Sequence, residues 1–158
     1  MAFRWADFRA AEPQFAQLVE QRFAAYTHHV LGTLRKDGSP RLSGLEATFR
    51  FDELWLGMMP RSYKAYDLRR DPRFALFANP GGGTAMGGGD VRIGGRAVEV
   101  TDPAVMARFA DEADAPQAFH LFRAELSEVV RTSVDGELLV VETWHPGEPL
   151  RTVRRGND

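Results

Sequence analysis

The sequence predicts a mainly β protein, an antiparallel barrel of six or seven strands with helices on its outside. Three observations carry this. Strand-like segments come in consecutive groups instead of alternating with helices, which argues against a parallel βαβ sheet. Asp37-Gly38 and Asp135-Gly136 each stand between apolar, β-prone runs, a strong short-range hairpin signal. In a chain of 158 residues, six or seven such strands close most simply into one barrel. The expectation is a single domain over residues 1–158, with 1–11 and 147–158 at its periphery.

Taken in order, residues 12–26 place Phe15, Leu18, Val19 and Phe23 on one helical face, with Pro13 at the helix start. A strand over 28–35 follows, then the turn KDGSP and a partner strand over 41–51. Gly44 inside that strand marks a bulge or a close backbone approach. A tight turn at Asp52-Glu53 leads to a third strand, 54–59. A helix starts near Pro60 and Ser62 and runs to Arg70, and a fourth strand spans 73–78. The stretch NPGGGTAMGGGD (79–90) reads as a surface loop. A fifth strand covers 91–100. The next helix, 102–113, has Asp102 as N-cap and Pro103 in its first position. Residues 115–122 are expected to add a short helical turn. A last hairpin pairs 123–134 with 137–144, and the polar tail RTVRRGND is expected to fray.

Composition narrows the function. A net charge of −2 does not fit a general electrostatic binder of nucleic acid. The chain has no cysteine, which removes disulfide and thiolate chemistry and fits a cytoplasmic protein. The N-terminus carries Arg4, Asp7 and Arg9 and lacks the apolar core of a signal peptide. Apolar runs such as LLVV (138–141) are too short to cross a bilayer. The glycine-rich loop matches neither GxGxxG nor GxxxxGK[ST], and a strand follows it where those fingerprints need a helix. His28, His29, His120 and His145 form no HxxxH pair, so no metal site is expected. No serine sits in a GxSxG elbow. Trp55 and Trp144 lie on strands, where packing is the plain reading. No side chain stands out as a general acid or base.

The informative stretch is MMPRSYKAYDLRRDPR (58–73). Over 61–73 it holds five cations and two carboxylates, a local excess of three positive charges. Arg61 and Lys64 sit at the helix start with no Asp or Glu beside them, although a helix N-terminus is itself partially positive. The plain reading is a solvated helix capped by Ser62. The functional reading is an anion site, where backbone N–H groups, the Ser62 hydroxyl and two cations converge on a phosphate, with Arg41 joining from a neighbouring strand.

The ordered set Asp37-Gly38-Ser39-Pro40-Arg41, Ser62-Tyr63-Lys64 and Leu68-Arg69-Arg70-Asp71-Pro72 resembles the pyridoxamine 5′-phosphate oxidase-like family of FMN-binding split barrels. The resemblance covers residues 28–100, and the strand order extends it to about 145. It implies a Greek-key split barrel, a homodimer with the cofactor at the subunit interface, and a cofactor phosphate held by Ser62 and Lys64. Arg41 and Arg61 are the supporting contacts it implies. The cofactor implied is FMN, with the deazaflavin coenzyme F-420 as the alternative used by related proteins. The activity implied is hydride transfer through the cofactor ring to a small molecule.

The chain also departs from that pattern. Counted from Arg41, the lysine position of the family's Arg-x-x-Leu-Leu-Lys strand holds Glu46, and Tyr63 replaces the arginine between Ser and Lys. The family's C-terminal substrate segment is not matched, so a true pyridoxamine phosphate oxidase is not expected. These departures keep a reading of another class open, a non-catalytic protein that binds a cofactor or haem.

Overall fold

A computed structural model describes residues 2–82, 88–113 and 118–156 of the chain. Nine strands run β1 (His29–Leu34), β2 (Pro40–Leu45), β3 (Ala47–Arg50), β4 (Glu53–Met58), β5 (Arg73–Phe77), β6 (Asp90–Glu99), β7 (His120–Asp135), β8 (Leu138–Trp144) and β9 (Arg151–Arg155). Four helices accompany them: α1 (Trp5–Ala11), α2 (Pro13–Ala24), α3 (Tyr63–Arg70) and α4 (Pro103–Ala113). Every strand pairing is antiparallel. The order is β2-β1-β5-β6-β7-β4-β3, with β8 on β7 and β9 on β8. The fold is therefore mainly β, as the sequence predicts.

Two features curl this sheet. β2 and β3 stand at opposite ends of the strand path, yet only Glu46 separates them in the chain. One residue spans too little distance to join the edges of a flat sheet. The two ends must meet, and the sheet closes on itself. The second feature is a register shift between Gly94 and Gly95, where β6 faces β7. A Cβ on Gly95 would lie 1.9 Å from the Glu125 carbonyl oxygen, so only glycine fits there. Strand β7 then divides the structure. On the edge away from β6, its first residues pair with β4 and its last seven with β8.

The core fills the curl. Leu31, Leu54, Leu56, Leu76, Val91 and Ile93 are fully buried from the strands. Helices α1 and α2 close one opening with Trp5, Phe8, Phe15, Val19 and Phe23. The rings of Trp5 and Phe49 lie 4.6 Å apart, and those of Phe8 and Trp144 4.8 Å. Helix α4 seals a smaller cluster of Trp55, Phe109 and Leu121.

Several expectations change. The N-terminal segment is not peripheral, because Trp5 and Phe8 of α1 belong to the core. The predicted strand 41–51 is two strands broken at Glu46. Gly44 is no bulge, since a Cβ there would meet nothing within 4 Å; the bulge is at Gly94–Gly95. The turn before β4 is Phe51-Asp52, both residues with positive φ, one position earlier than expected. Residues 120–122 begin β7, and the rest of the predicted helical turn lies mostly outside the described residues. The tail does not fray over 151–155, where β9 pairs with β8. Within the glycine-rich loop, residues 83–87 lie outside the described residues. No helix among the described residues is long and apolar enough to cross a membrane.

Candidate functional site

The start of α3 is built from three directions. Strand β4 ends at Met58, and the chain turns through Arg61, whose φ is 60°. A non-glycine residue there carries a steric penalty, and something must hold it. The holder is His120 at the head of β7, whose Nε2 accepts the Arg61 backbone N–H at 3.1 Å. An N–H can only donate, so Nε2 is the unprotonated nitrogen of a neutral ring. The other nitrogen, Nδ1, lies 3.2 Å from Arg69, which is itself clamped by Glu99 of β6 at 2.6 and 2.8 Å.

Ser62 occupies the N-cap position, with extended dihedrals, but its side chain makes no capping bond. Its backbone carbonyl accepts the N–H groups of Ala65 and Tyr66. Its hydroxyl oxygen is buried and has no hydrogen-bond partner. A buried hydroxyl without a partner is an uncommon cost in a folded chain. It sits where a helix start leaves N–H groups without intrahelical acceptors.

Lys64 is one residue into α3. Its Nζ donates to the Gly44 carbonyl of β2 at 3.0 Å. Among the described residues no carboxylate lies within ion-pair distance of it. Desolvation pushes its pKa below the ordinary value of 10.5. A half-buried cation without a counter-charge, beside an orphaned hydroxyl and a helix N-terminus, is a set of donors that fits an anion.

Arg41 and Arg61 behave differently. Arg41 is engaged by Asp67, with Nε 2.7 Å from Oδ2, and its guanidinium stacks 5.2 Å from the centre of the Tyr63 ring. Asp67 is 1 % exposed and also accepts from the Thr33 hydroxyl at 2.8 Å and from Arg70 at 3.3 Å. Arg41 thus belongs to a buried ionic cluster that fixes α3 against β1 and β2. The Arg61 side chain is exposed, with no carboxylate partner among the described residues. The structure brings Ser62 and Lys64 together and gives Arg41 another partner. Sequence reasoning missed His120, Thr33 and Asp67. Only Asp67, three residues before Arg70 on one helix face, carried a local signal. Among the described residues no three His, Asp or Glu side chains group as a metal site.

The sequence profile described as pyridoxamine 5′-phosphate oxidase matches residues 12–132, from the helix before β1 to the middle of β7. The chain belongs to the pyridoxamine 5′-phosphate oxidase family. Solved structures similar to this family member share its fold. PhzG from Burkholderia lata 383, in complex with tetrahydrophenazine-1-carboxylic acid, is 15% identical with a TM-score of 0.62, over 99% of this chain and 98% of that one. The conserved hypothetical protein Rv2991 from Mycobacterium tuberculosis is 21% identical with a TM-score of 0.58, over 75% and 81%. A structure named F420 reductase is 16% identical with a TM-score of 0.50, over 65% and 88%. No curated protein matches the chain.

Proposed function

We propose that this family member is an FMN-binding oxidoreductase that passes hydride to or from a small molecule, with the FMN phosphate held at the start of α3. The observation that carries the reading is the pair of unmet groups there: the Ser62 hydroxyl, buried with no partner, and the Lys64 ammonium, half-buried with no carboxylate. A phosphate satisfies both at once and takes the N–H groups of the first turn as well. The deazaflavin F-420 also carries a phosphate, and it is the second reading for the same clamp.

Bound FMN supplies the redox chemistry through its ring. The chain's own residues supply position. Ser62 donates or accepts at the phosphate, Lys64 neutralises it, and His120 holds the Arg61 turn so that the first-turn N–H groups face one point. Arg61 adds charge from the rim. Arg41 acts indirectly, by fixing α3 through Asp67.

The outward face of the β2-β1-β5 sheet is the surface we assign to a second copy. Val30 stands opposite Gly44 and Phe77, and Gly32 stands opposite Leu42 and Ala75. Leu42 is 75% exposed on this face, and Val30 and Phe77 are partly exposed beside it. Such an apolar, small-residue face suits a homodimer interface beside the cofactor. The experiment is to record the absorbance spectrum and mass of the small molecule that co-purifies, then titrate FMN and F-420. Saturable binding of one of them, with turnover against quinones or nitro compounds, supports the proposal. Tight binding without turnover moves the protein to the non-catalytic class, haem included. Binding of neither cofactor below about 1 mM overturns the proposal.

A further inference from the structure

We infer that the pocket between the β1–β2 turn and the outer flank of α3 is a second anion site, which takes a small molecule joining a flat aromatic ring to a phosphate or carboxylate. It stands apart from the helix-start clamp and does not depend on the cofactor reading. The pocket is an open cavity of about 650 Å³, within the range of small-molecule sites.

Its charge is unbalanced once each ion pair is followed. Arg35 and Lys36 come from the turn, Arg41 from β2 and Arg70 from α3. Asp67, at the pocket's base, is consumed by Arg41 and Arg70. Asp37 is turned into its own loop, where one carboxylate oxygen accepts both the Ser39 N–H at 2.9 Å and the Ser39 hydroxyl at 2.6 Å. Those bonds hold its pKa below the ordinary carboxylate value, so it stays charged but committed. Arg35 and Lys36 are left exposed, with no carboxylate within ion-pair distance among the described residues. Two cations side by side on a turn repel each other, and a bound anion relieves that repulsion.

The walls indicate what the anion is attached to. Tyr63 and Tyr66, three residues apart on α3, are 72% and 40% exposed. Tyrosines at this spacing share a helix face. A ring laid against them buries apolar area on both partners, and offset stacking adds to that. The Tyr63 ring is already held by Arg41, which limits the entropy lost when a ligand arrives.

The test titrates the full-length protein with phenyl phosphate, benzoate and inorganic phosphate by calorimetry, and follows backbone amides by NMR. Phenyl phosphate or benzoate is expected to bind saturably, with shifts at Lys36, Asp37 and Tyr66. Inorganic phosphate, lacking the ring, is expected to bind at least about tenfold more weakly. The double variant Arg35→Ala/Lys36→Ala removes two exposed residues without ion pairs, so its melting temperature should match the parent, while its affinity for the ring compound falls by about tenfold or more. Lys64→Ala should leave that affinity within about twofold, which separates this site from the clamp. Which ring compound binds more tightly tells whether phosphate or carboxylate is the natural group. Any one of four results overturns the inference: no saturable binding of either ring compound up to about 10 mM, inorganic phosphate binding as well as phenyl phosphate, an unchanged affinity in the double variant, or an equal loss in Lys64→Ala.

Discussion

Ser62 is a residue whose two roles predict opposite results. If its hydroxyl capped α3, Ser62→Ala would cost about 0.5–2 kcal/mol of stability. In the structure the hydroxyl makes no cap bond and is buried without a partner. Removing it therefore takes away an unmet polar group, and Ser62→Ala should melt at or above the parent temperature when cofactor-free. The same variant should bind FMN more weakly, so the gain and the loss are read in two measurements on one protein. Lys64→Ala should cost about 1.5–3 kcal/mol in FMN binding, roughly ten- to a hundredfold in Kd, the scale of a charge-assisted bond. Lys64 also sets a pH dependence. Its pKa in the folded, cofactor-free protein is lowered by desolvation from 10.5. In the window between that lowered value and 10.5, the unfolded chain binds the extra proton, so this residue makes stability rise with pH. FMN affinity moves the other way and falls as Lys64 loses its charge. Titrating both from neutral pH upward, with Lys64→Arg as the variant that keeps its charge, checks the sign. These two residues were legible because a cationic helix start without carboxylates conflicts with the helix dipole, and that conflict is local. His120 was not legible, because it meets Arg61 only after β7 has been laid beside β4.

At the scale of elements, the hairpins and the strand clustering were readable because turn chemistry and alternation act over a few residues. The Asp37-Gly38 and Asp135-Gly136 turns fall where expected, with positive φ at both glycines. What failed needed distant partners. Helix α1 has seven residues, too few for its periodicity to stand out, and it exists because Trp5 and Phe8 find a pocket made by Phe49 and Trp144. Strand β9 is exposed along its whole length and is held by β8 pairing. Such edge strands carry little apolar signal. The break at Glu46 reads as one continuous strand until closure of the sheet sends its two halves to opposite ends. Two substitutions test this account. Trp5→Ala should destabilise the protein by about 3–5 kcal/mol, the usual cost of emptying an aromatic core position, measured by denaturant melts. A frayed, peripheral N-terminus would show almost no effect. Gly95→Ala places a Cβ against the Glu125 carbonyl and cannot keep the register of β6 on β7. It should yield little soluble protein, whereas Gly44→Ala, with open space around its Cβ, should fold normally.

For the whole molecule, the decisive surface is the uncovered face of β2-β1-β5. A monomer would leave Leu42, Val30 and Phe77 in water on one flat patch lined by glycine and alanine. Scattered exposed apolar residues are ordinary, but three on adjacent strands in register form a surface that a copy of itself can match by two-fold symmetry. The α3 clamp reaches this same sheet, since Lys64 bonds the Gly44 carbonyl on β2. Anything that disturbs β2 from the outside therefore reaches the clamp from beneath. Leu42→Asp puts a charge at the centre of the face while changing a side chain that packs little within its own chain. It should leave the isolated chain folded, with a melting temperature near that of the parent once both are diluted to where they are monomeric. By sedimentation at micromolar concentration the parent should run as a dimer and Leu42→Asp as a monomer. FMN affinity should fall with the dimer, and the loss in Leu42→Asp should exceed that in Lys64→Ala if the partner subunit completes the site. A parent that sediments as a monomer yet binds FMN would place the whole cofactor site within one chain and remove the interface from the proposal.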